Sequence, residues 1–175
     1  IENKRYGRYA EKMSGFFKVI DGKPIVGAKS FFDENLGTVS YSCQAFPSVM
    51  KDGIMWHYIN SETGSKNWKL KTYRNLMGTL KNGNFICVLS YKGGLLSVKE
   101  IATIAKKYGV TNASLFDGGA ALQYEYNSKD FHLRFSAFNN IFDFGKMIDK
   151  KFLTLGHSHF PTKSPVFLTI EHSTD

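Results

Sequence analysis

The chain has 175 residues, of which 42% are apolar and 15% aromatic, which suits one globular domain with a sizeable core. The net charge of +8 favours anionic partners, but the Lys residues are scattered, which argues against a surface for duplex nucleic acid. No apolar run approaches the length of a membrane span, and no signal peptide is recognisable. Because the chain begins with Ile1, it can be a processed product or part of a longer protein, so compartment and oligomeric state stay open.

The first part of the chain is predicted to form short strands joined by tight turns. Before these strands, residues 1–13 are charged and have apolar side chains near helical spacing, which predicts an N-terminal helix. The turn residues Asp21–Pro24 separate two strands, and Thr38–Ala45 is typical of a third. Asn60–Trp68 is polar and rich in Ser, Gly and Asn, which predicts an exposed loop of the kind that often borders a binding site.

The middle of the chain predicts a hairpin followed by a βαβ unit. Lys81–Asn84 is typical of a hairpin turn, so the segment near Met77–Leu80 should pair antiparallel with Phe85–Ser90. Ser97 and Glu100 have the spacing of a capping box, and apolar residues then recur at helical spacing as far as Gly109. With a second apolar run before residue 117, these features predict a βαβ unit around residues 85–117.

The second strand of this unit ends in Asp117-Gly118-Gly119. Ligands bind at the strand ends of such units, and consecutive glycine amides can form a nest for an anion. One hypothesis is that Asp117 only caps its own turn. The other is that Asp117 is a general acid or base beside a phosphate held by the amides.

Two further segments are candidates for chemistry. Arg74 is either a solvated charge or a bidentate phosphate ligand. His157 and His159 alternate in a predicted loop and could bind a metal, but no nearby Cys or carboxylate completes the set, so we predict neither metal nor cofactor. No nucleotide-binding loop or nucleophile elbow is present.

The remaining residues extend the β-rich pattern. Leu122–Tyr126 and Phe131–Phe135 alternate as half-buried strands, and Pro165–Glu171 is typical of a final strand. The predicted fold is therefore α+β, a single compact domain over residues 1–175 with a mixed β-sheet and few helices.

Several segments, in their order and spacing, resemble the phosphodiester glycosidase family. These are Met13–Phe17, Gly22–Gly27, Gln44–Pro47 with Asp52-Gly53, Arg74–Gly78, Val98–Ala105 and Ser114–Gly119. The resemblance covers about residues 13–126 and leaves 127–175 as C-terminal strands and loops. The family includes an enzyme that removes N-acetylglucosamine from a phosphodiester to mannose, and bacterial and phage proteins mostly of unassigned substrate.

The resemblance implies a catalytic role for one residue and substrate binding for six others. The catalytic residue is Asp117, and the substrate-binding residues are Ser14, Gly15, Arg74, Gly78, Gly118 and Gly119. Three positions depart from the family pattern. Ser14 replaces an Asn, and Ala120 and Ala121 replace the Gly and Ser that complete the family's Asp-Gly-Gly-Gly-Ser segment, which removes a hydroxyl from the expected site.

Two functions follow as expectations. The first is a hydrolase acting on a sugar–phosphate diester or glycosyl phosphate, with a small-molecule or glycan phosphodiester as its ligand. Such chemistry commonly uses two carboxylates, and Asp33 and Glu34 are candidates for the second. The alternative, favoured by the departures, is a non-catalytic module that binds a phosphorylated glycan or nucleotide, for receptor binding or ligand sequestration. Either function requires Ser14, Arg74 and Asp117 to converge.

Overall fold

The computed structural model describes residues 10–29, 37–56 and 66–137. Contacts divide the chain into two compact units, Ile1–Gly119 and Ala120–Asp175. Most described elements are strands, which confirms the α+β class. Asp33, Glu34, the two histidines at 157 and 159 and the strand predicted at Pro165–Glu171 lie outside the described residues.

A three-stranded antiparallel sheet contains β1 (Gly15–Ile20), β2 (Lys23–Ala28) and β3 (Val39–Ala45), in the order β2-β1-β3. The β1–β2 turn is the one predicted from the sequence. Asp21 and Gly22 have φ of 48° and 75°, the left-handed pair that suits a two-residue hairpin. The preceding residues 10–13 form a turn, so the predicted N-terminal helix is wrong in its described part.

A five-stranded sheet in the order β5-β4-β8-β6-β7 forms the centre of the first unit. Its strands are β4 (Ser48–Lys51), β5 (Ile54–Met55), β6 (Asn75–Leu80), β7 (Phe85–Leu89) and β8 (Val110–Phe116). Each neighbouring pair is antiparallel. The predicted β6–β7 hairpin is confirmed, with a register that runs from Asn75 opposite Leu89 to Thr79 opposite Phe85.

Two helices accompany this sheet in the described residues, α1 (Lys66–Lys69) and α2 (Val98–Lys107). The single turn α1 replaces the end of the loop predicted at Asn60–Trp68. Helix α2 begins at the predicted capping box of Ser97 and Glu100 and completes the βαβ unit with β7 and β8. These two strands point in the same direction, but β6 lies between them and pairs antiparallel with both.

The five-stranded sheet has a hydrophobic core on each face. We call the first the helix-side core, because α2 packs there on β4, β6 and β8; its buried residues are Val49, Met50, Leu76, Val98, Ile101, Ala102, Ala105, Val110, Ala113 and Leu115. The second is the inter-sheet core, where Phe17 and Val26 of the three-stranded sheet meet Met77, with Val19, Phe85 and Phe116 packed around them. Alternate residues of β6 and β8 therefore belong to opposite cores.

The second unit contains one described hairpin. Strands β9 (Gln123–Asn127) and β10 (His132–Ser136) pair antiparallel, which confirms the two alternating strands predicted here. The rings of Tyr124 and Phe135 stack across the pair, with centroids 5.2 Å apart. In the ranges that the structure describes, no helix has the length and apolarity needed to cross a membrane.

Candidate functional site

Asp117 lies where β8 ends, in the tight turn predicted from Asp117-Gly118-Gly119. Its side chain is exposed, and Oδ1 accepts a hydrogen bond of 3.0 Å from the amide of Gly118. Gly119, with φ of 60°, then begins a short 3₁₀ turn. The structure thus contains the self-capped turn of the first hypothesis, and it also leaves the carboxylate accessible, as the second requires.

This turn packs against the backbone that precedes β6. The amide of Gly119 donates to the carbonyl of Tyr73 over 2.7 Å. A Cβ atom at Gly118 would lie 2.7 Å from the same carbonyl oxygen, so a side chain cannot be accommodated without a shift of the backbone. Asp117 is therefore held beside Arg74, and two of the predicted site residues are brought together.

The glycine amides are already used within the protein. Gly118 donates to Asp117 and Gly119 donates to Tyr73. An anion in the predicted amide nest would have to replace one of these hydrogen bonds.

Arg74 uses its guanidinium to hold two backbone segments. Nε donates to the carbonyl of Leu96 over 3.1 Å, and Nη2 donates to the carbonyl of Leu70 over 2.7 Å. The Arg74 backbone also exchanges hydrogen bonds of 2.9 Å with Ser90. Burial lowers the pKa of the guanidinium, because desolvation penalises its charged form. Arg74 thus uses its charged side chain to fix the surrounding loops, and its backbone lies next to the Asp117–Gly119 turn.

Gly78 lies away from this pair. It is buried in the middle of β6 opposite Ala113, whereas Asn75 at the start of the strand is opposite Phe116. Four residues of strand separate Gly78 from Arg74, which corresponds to roughly 13 Å. Its place in the fold is explained by close packing rather than by proximity to Asp117.

Ser14 and Gly15 approach β8 from the side of the three-stranded sheet. Ser14 Oγ accepts a hydrogen bond of 3.0 Å from the amide of Ser48, which is paired with Ser114. A Cβ atom at Gly15 would lie 2.8 Å from Cβ of Ser114, so the missing side chain permits this close approach. Ser114 precedes Asp117 by three residues, about 10 Å along a strand. Of the three residues expected to converge, the structure therefore brings Arg74 to the Asp117 turn but holds Ser14, together with Gly15, next to an earlier part of β8.

Two aromatic residues that the sequence analysis did not single out lie near the end of β8. The amide of Phe46 donates to the carbonyl of Leu115 over 3.1 Å, and Phe46 is 51% exposed. The Phe46 ring meets the Trp68 ring edge to face, with centroids 6.3 Å apart. Phe46 belongs to the segment Gln44–Pro47 that resembles the family, and Trp68 ends the exposed loop predicted at Asn60–Trp68, so the sequence pointed only weakly to both.

Among the described residues, the polar surroundings include an ion pair and an unpaired buried acceptor. Lys71 Nζ lies 2.7 Å from Oε1 of Glu100. Hydrogen bonds from Lys71 and then from Ser97 lower the pKa of Glu100 to about 2. Asn75 Oδ1 is buried and has no hydrogen-bond donor. Within residues 10–29, 37–56 and 66–137, no group of three or more His, Cys, Asp or Glu side chains is arranged to hold a metal.

Comparison with solved structures shows a related fold. The catalytic domain of zebrafish N-acetylglucosamine-1-phosphodiester α-N-acetylglucosaminidase, auto-inhibited by its pro-peptide, matches with a TM-score of 0.50 and 15% identity over 63% of this chain and 41% of that one. A hypothetical protein from Synechocystis matches with a TM-score of 0.46 and 24% identity over 66% of this chain and 21% of that one. The chain thus spans less than half the length of either structure.

The sequence comparisons identify the family. No curated protein matches the chain in sequence. The phosphodiester glycosidase family profile matches residues 7–143, which include all the described residues of the first unit from Ala10 onward and the hairpin of the second. The order of motifs and the fold agree with this match. The chain therefore belongs to the phosphodiester glycosidase family.

Proposed function

We propose that this chain is a hydrolase that cleaves a sugar–phosphate diester or glycosyl phosphate. The main support is the exposed Asp117 carboxylate at the end of β8, held beside Arg74 by the fit of Gly118 and Gly119 against Tyr73. A carboxylate so placed can reach a bound ligand without moving the strands. The family assignment makes a glycosidic phosphodiester the chemical class to test first.

Asp117 is proposed to transfer a proton or to stabilise the positive charge that develops on the sugar ring. Glycosidic cleavage passes through an oxocarbenium-like state, which a nearby carboxylate favours. Arg74 would contribute positive charge toward the phosphate, because the guanidinium keeps its proton at neutral pH despite its burial. The substrate of the zebrafish neighbour, an N-acetylglucosamine-1-phosphodiester by its name, is a reasonable first compound.

A second candidate function is a non-catalytic module that binds a phosphorylated glycan or nucleotide. The observation that favours it is the hydrogen bond from Gly118 to Asp117 Oδ1, because a carboxylate that only caps its turn makes this bond. The two functions differ in whether the ligand is cleaved and in what the negative charge of Asp117 does.

The test uses a panel of sugar–phosphate diesters and nucleotides, with binding and cleavage followed by phosphorus NMR. For a hydrolase, we expect Asp117→Asn to lower turnover about 100-fold or more with little loss of affinity, since Asn retains the shape but cannot transfer the proton. The matched control is Asp52→Asn. Asp52 is also exposed and precedes a glycine in a turn, and that turn lies next to Thr111, at the opposite end of β8.

Unchanged turnover in Asp117→Asn would remove Asp117 from the catalytic role. Binding without cleavage by the unmodified protein would support the second function. In that case Asp117→Asn should tighten binding of a phosphate beside it, because a repulsion between like charges is lost.

A further inference from the structure

Phe46 and Trp68 lie on the same face of the five-stranded sheet as helix α2. Trp68 packs against the helix-side core, and its ring supports one side of the Phe46 ring. About half of Phe46 nevertheless remains exposed. The edge-to-face contact with Trp68 favours one orientation of the Phe46 ring and leaves an apolar face open to solvent.

Asp117 directly follows β8, whose residues alternate between the two faces of the sheet. Ala113 and Leu115 belong to the helix-side core, whereas Phe116 packs against the inter-sheet core. The same alternation, continued by one residue beyond the end of β8, would direct the Asp117 side chain to the helix side. Phe46 is bonded through its backbone to Leu115, two residues or about 7 Å before Asp117 along the chain.

Arg74 lies on the other side of the end of β8, next to the start of β6. Leu76 belongs to the helix-side core, so Arg74, two residues earlier in the chain, also projects to that side. Its Nη2 donates to the carbonyl of Leu70, two residues after Trp68. The chain from Trp68 to Leu70 thus connects the ring contact of Phe46 with the Arg74 guanidinium, and the Asp117 turn follows the end of β8, whose backbone neighbours on its two sides are Phe46 and the Tyr73–Arg74 segment.

We propose that the exposed face of Phe46, supported by Trp68, binds the apolar face of the pyranose ring of a sugar phosphodiester; this inference rests on the proposed function. A pyranose presents C–H groups on its ring faces and hydroxyls at its edge, so an aromatic face can bury the former and leave the latter in water. The aromatic ring of Phe46 also has a negative π face, which attracts positive charge. Such a face beside Asp117 would favour the oxocarbenium-like state as well as the ground state.

In this proposal, each of these residues interacts with a different part of the substrate. Phe46, supported by Trp68, contacts the sugar ring, Asp117 acts on the bond that is cleaved, and Arg74 contributes positive charge toward the phosphate. The substrate class that follows is a phosphodiester in which the phosphate is joined directly to a pyranose. Diesters without a ring should gain nothing from Phe46.

The first test compares a ring-bearing with a ring-free ligand. The ring-bearing probe is the methyl diester of N-acetylglucosamine 1-phosphate, and the ring-free probe is the methyl diester of glycerol phosphate. Affinities are measured by calorimetry in the Asp117→Asn background, so that cleavage does not interfere. We expect Phe46→Leu, which keeps an apolar side chain but removes the π face, to weaken binding of the ring-bearing diester roughly 5- to 10-fold. Binding of the ring-free diester should not change.

Phe131→Leu is the matched control, because Phe131 is 55% exposed and lies outside the first unit, before β10. The second measurement is fluorescence. The chain has two Trp residues, so Trp56→Phe leaves Trp68 as the only one. The emission of Trp68 should change with the ring-bearing diester and stay constant with the ring-free diester.

The outcomes separate this inference from the proposed function. If the ring-bearing diester binds more weakly to Phe46→Leu but the unmodified protein cleaves nothing, the sugar-binding role of Phe46 stands and the hydrolase proposal is wrong. If the unmodified protein cleaves the diester and Phe46→Leu binds it equally well, the hydrolase proposal stands and the role of Phe46 is overturned. Absence of binding to the unmodified protein, or an equal loss for both diesters, also overturns that role.

Discussion

Gly78 illustrates how a residue in a family motif can be required for packing. A Cβ atom at this position would lie 2.5 Å from Cγ1 of Val110 and 2.9 Å from the carbonyl oxygen of Asn112. The second contact involves backbone of the neighbouring strand β8, which cannot rotate away as a side chain can. The absence of a side chain at Gly78 thus lets β6 and β8 pair closely in the centre of the sheet.

We expect Gly78→Ala to lower the free energy of unfolding by about 1–3 kcal/mol, the usual cost of overpacking a filled interior. Chemical denaturation measures the loss. The control is Ser42→Ala at an exposed position of β3, where a change within about 0.5 kcal/mol is expected. Equal stability of Gly78→Ala and the unmodified protein would mean that the strands adjust easily here. Close packing would then not explain Gly78, and its expected role in substrate binding would be the hypothesis to test.

At the scale of elements, the N-terminus of helix α2 is fixed by hydrogen bonds and an ion pair that also involve the segment before β6. Ser97 Oγ accepts from the amide of Glu100, and Glu100 Oε2 accepts from the amide of Ser97 over 2.7 Å. The second carboxylate oxygen meets Lys71, three residues before Arg74. The start of the helix is therefore tied to the chain that leads into β6.

These contacts predict a pH dependence. The pKa of Glu100 falls from its ordinary value near 4.5 to about 2, chiefly through Lys71 and then Ser97. A lowered pKa means that the ionised carboxylate stabilises the fold above pH 4.5 and that this stabilisation is lost as the pH falls toward 2. The Glu100 side chain is 40% exposed, so solvent screening keeps the contribution below about 1 kcal/mol.

Glu100→Gln retains an oxygen for the capping box but loses the charge. We expect it to lower the melting temperature slightly at pH 7, and we expect the difference from the unmodified protein to shrink between pH 4.5 and pH 3. Thermal unfolding across this range is the measurement, with Asp130→Asn, an exposed carboxylate in the β9–β10 turn, as control. A difference that grows as the pH falls would contradict the assignment.

For the whole molecule, Arg74 joins parts of the first unit that are distant in sequence. Its guanidinium binds Leu70 after α1 and Leu96 before α2, and its backbone binds Ser90 after β7. The same residue is the proposed source of positive charge for the ligand. A structural and a binding role thus coincide in one side chain, and substitution should affect both.

Arg74→Lys keeps the charge but has a single nitrogen in place of the two separate nitrogens that reach the carbonyls of Leu96 and Leu70. We expect it to lower the free energy of unfolding by about 1–3 kcal/mol, since at least one hydrogen bond from a charged donor is lost. Phosphodiester affinity should also fall, by a similar amount. Denaturation and calorimetry give the two values separately. Arg134→Lys, at a side chain that is 72% exposed, is the control. Equal affinity of Arg74→Lys and the unmodified protein would leave Arg74 with its structural role alone.

The sequence by itself determined the features that depend on residues close together in the chain. The capping box needs only Ser97 and Glu100, three positions apart, and the β1–β2 turn needs only Asp21 and Gly22. The family resemblance is likewise a matter of order and spacing. Such features could be predicted because their geometry is set by local backbone conformation and by hydrogen bonds within a few residues.

Only the tertiary structure decided which of these segments meet. The order β4-β8-β6 places Phe46 and Arg74 on either side of the end of β8, and no local pattern specifies that order. The hydrogen-bond acceptors of Arg74 could not be predicted from the sequence either, because an Arg side chain can face solvent, a phosphate or a backbone carbonyl. Pairing between distant strands is selected by the burial of both sheet faces together, so the arrangement around Asp117 is a property of the folded chain.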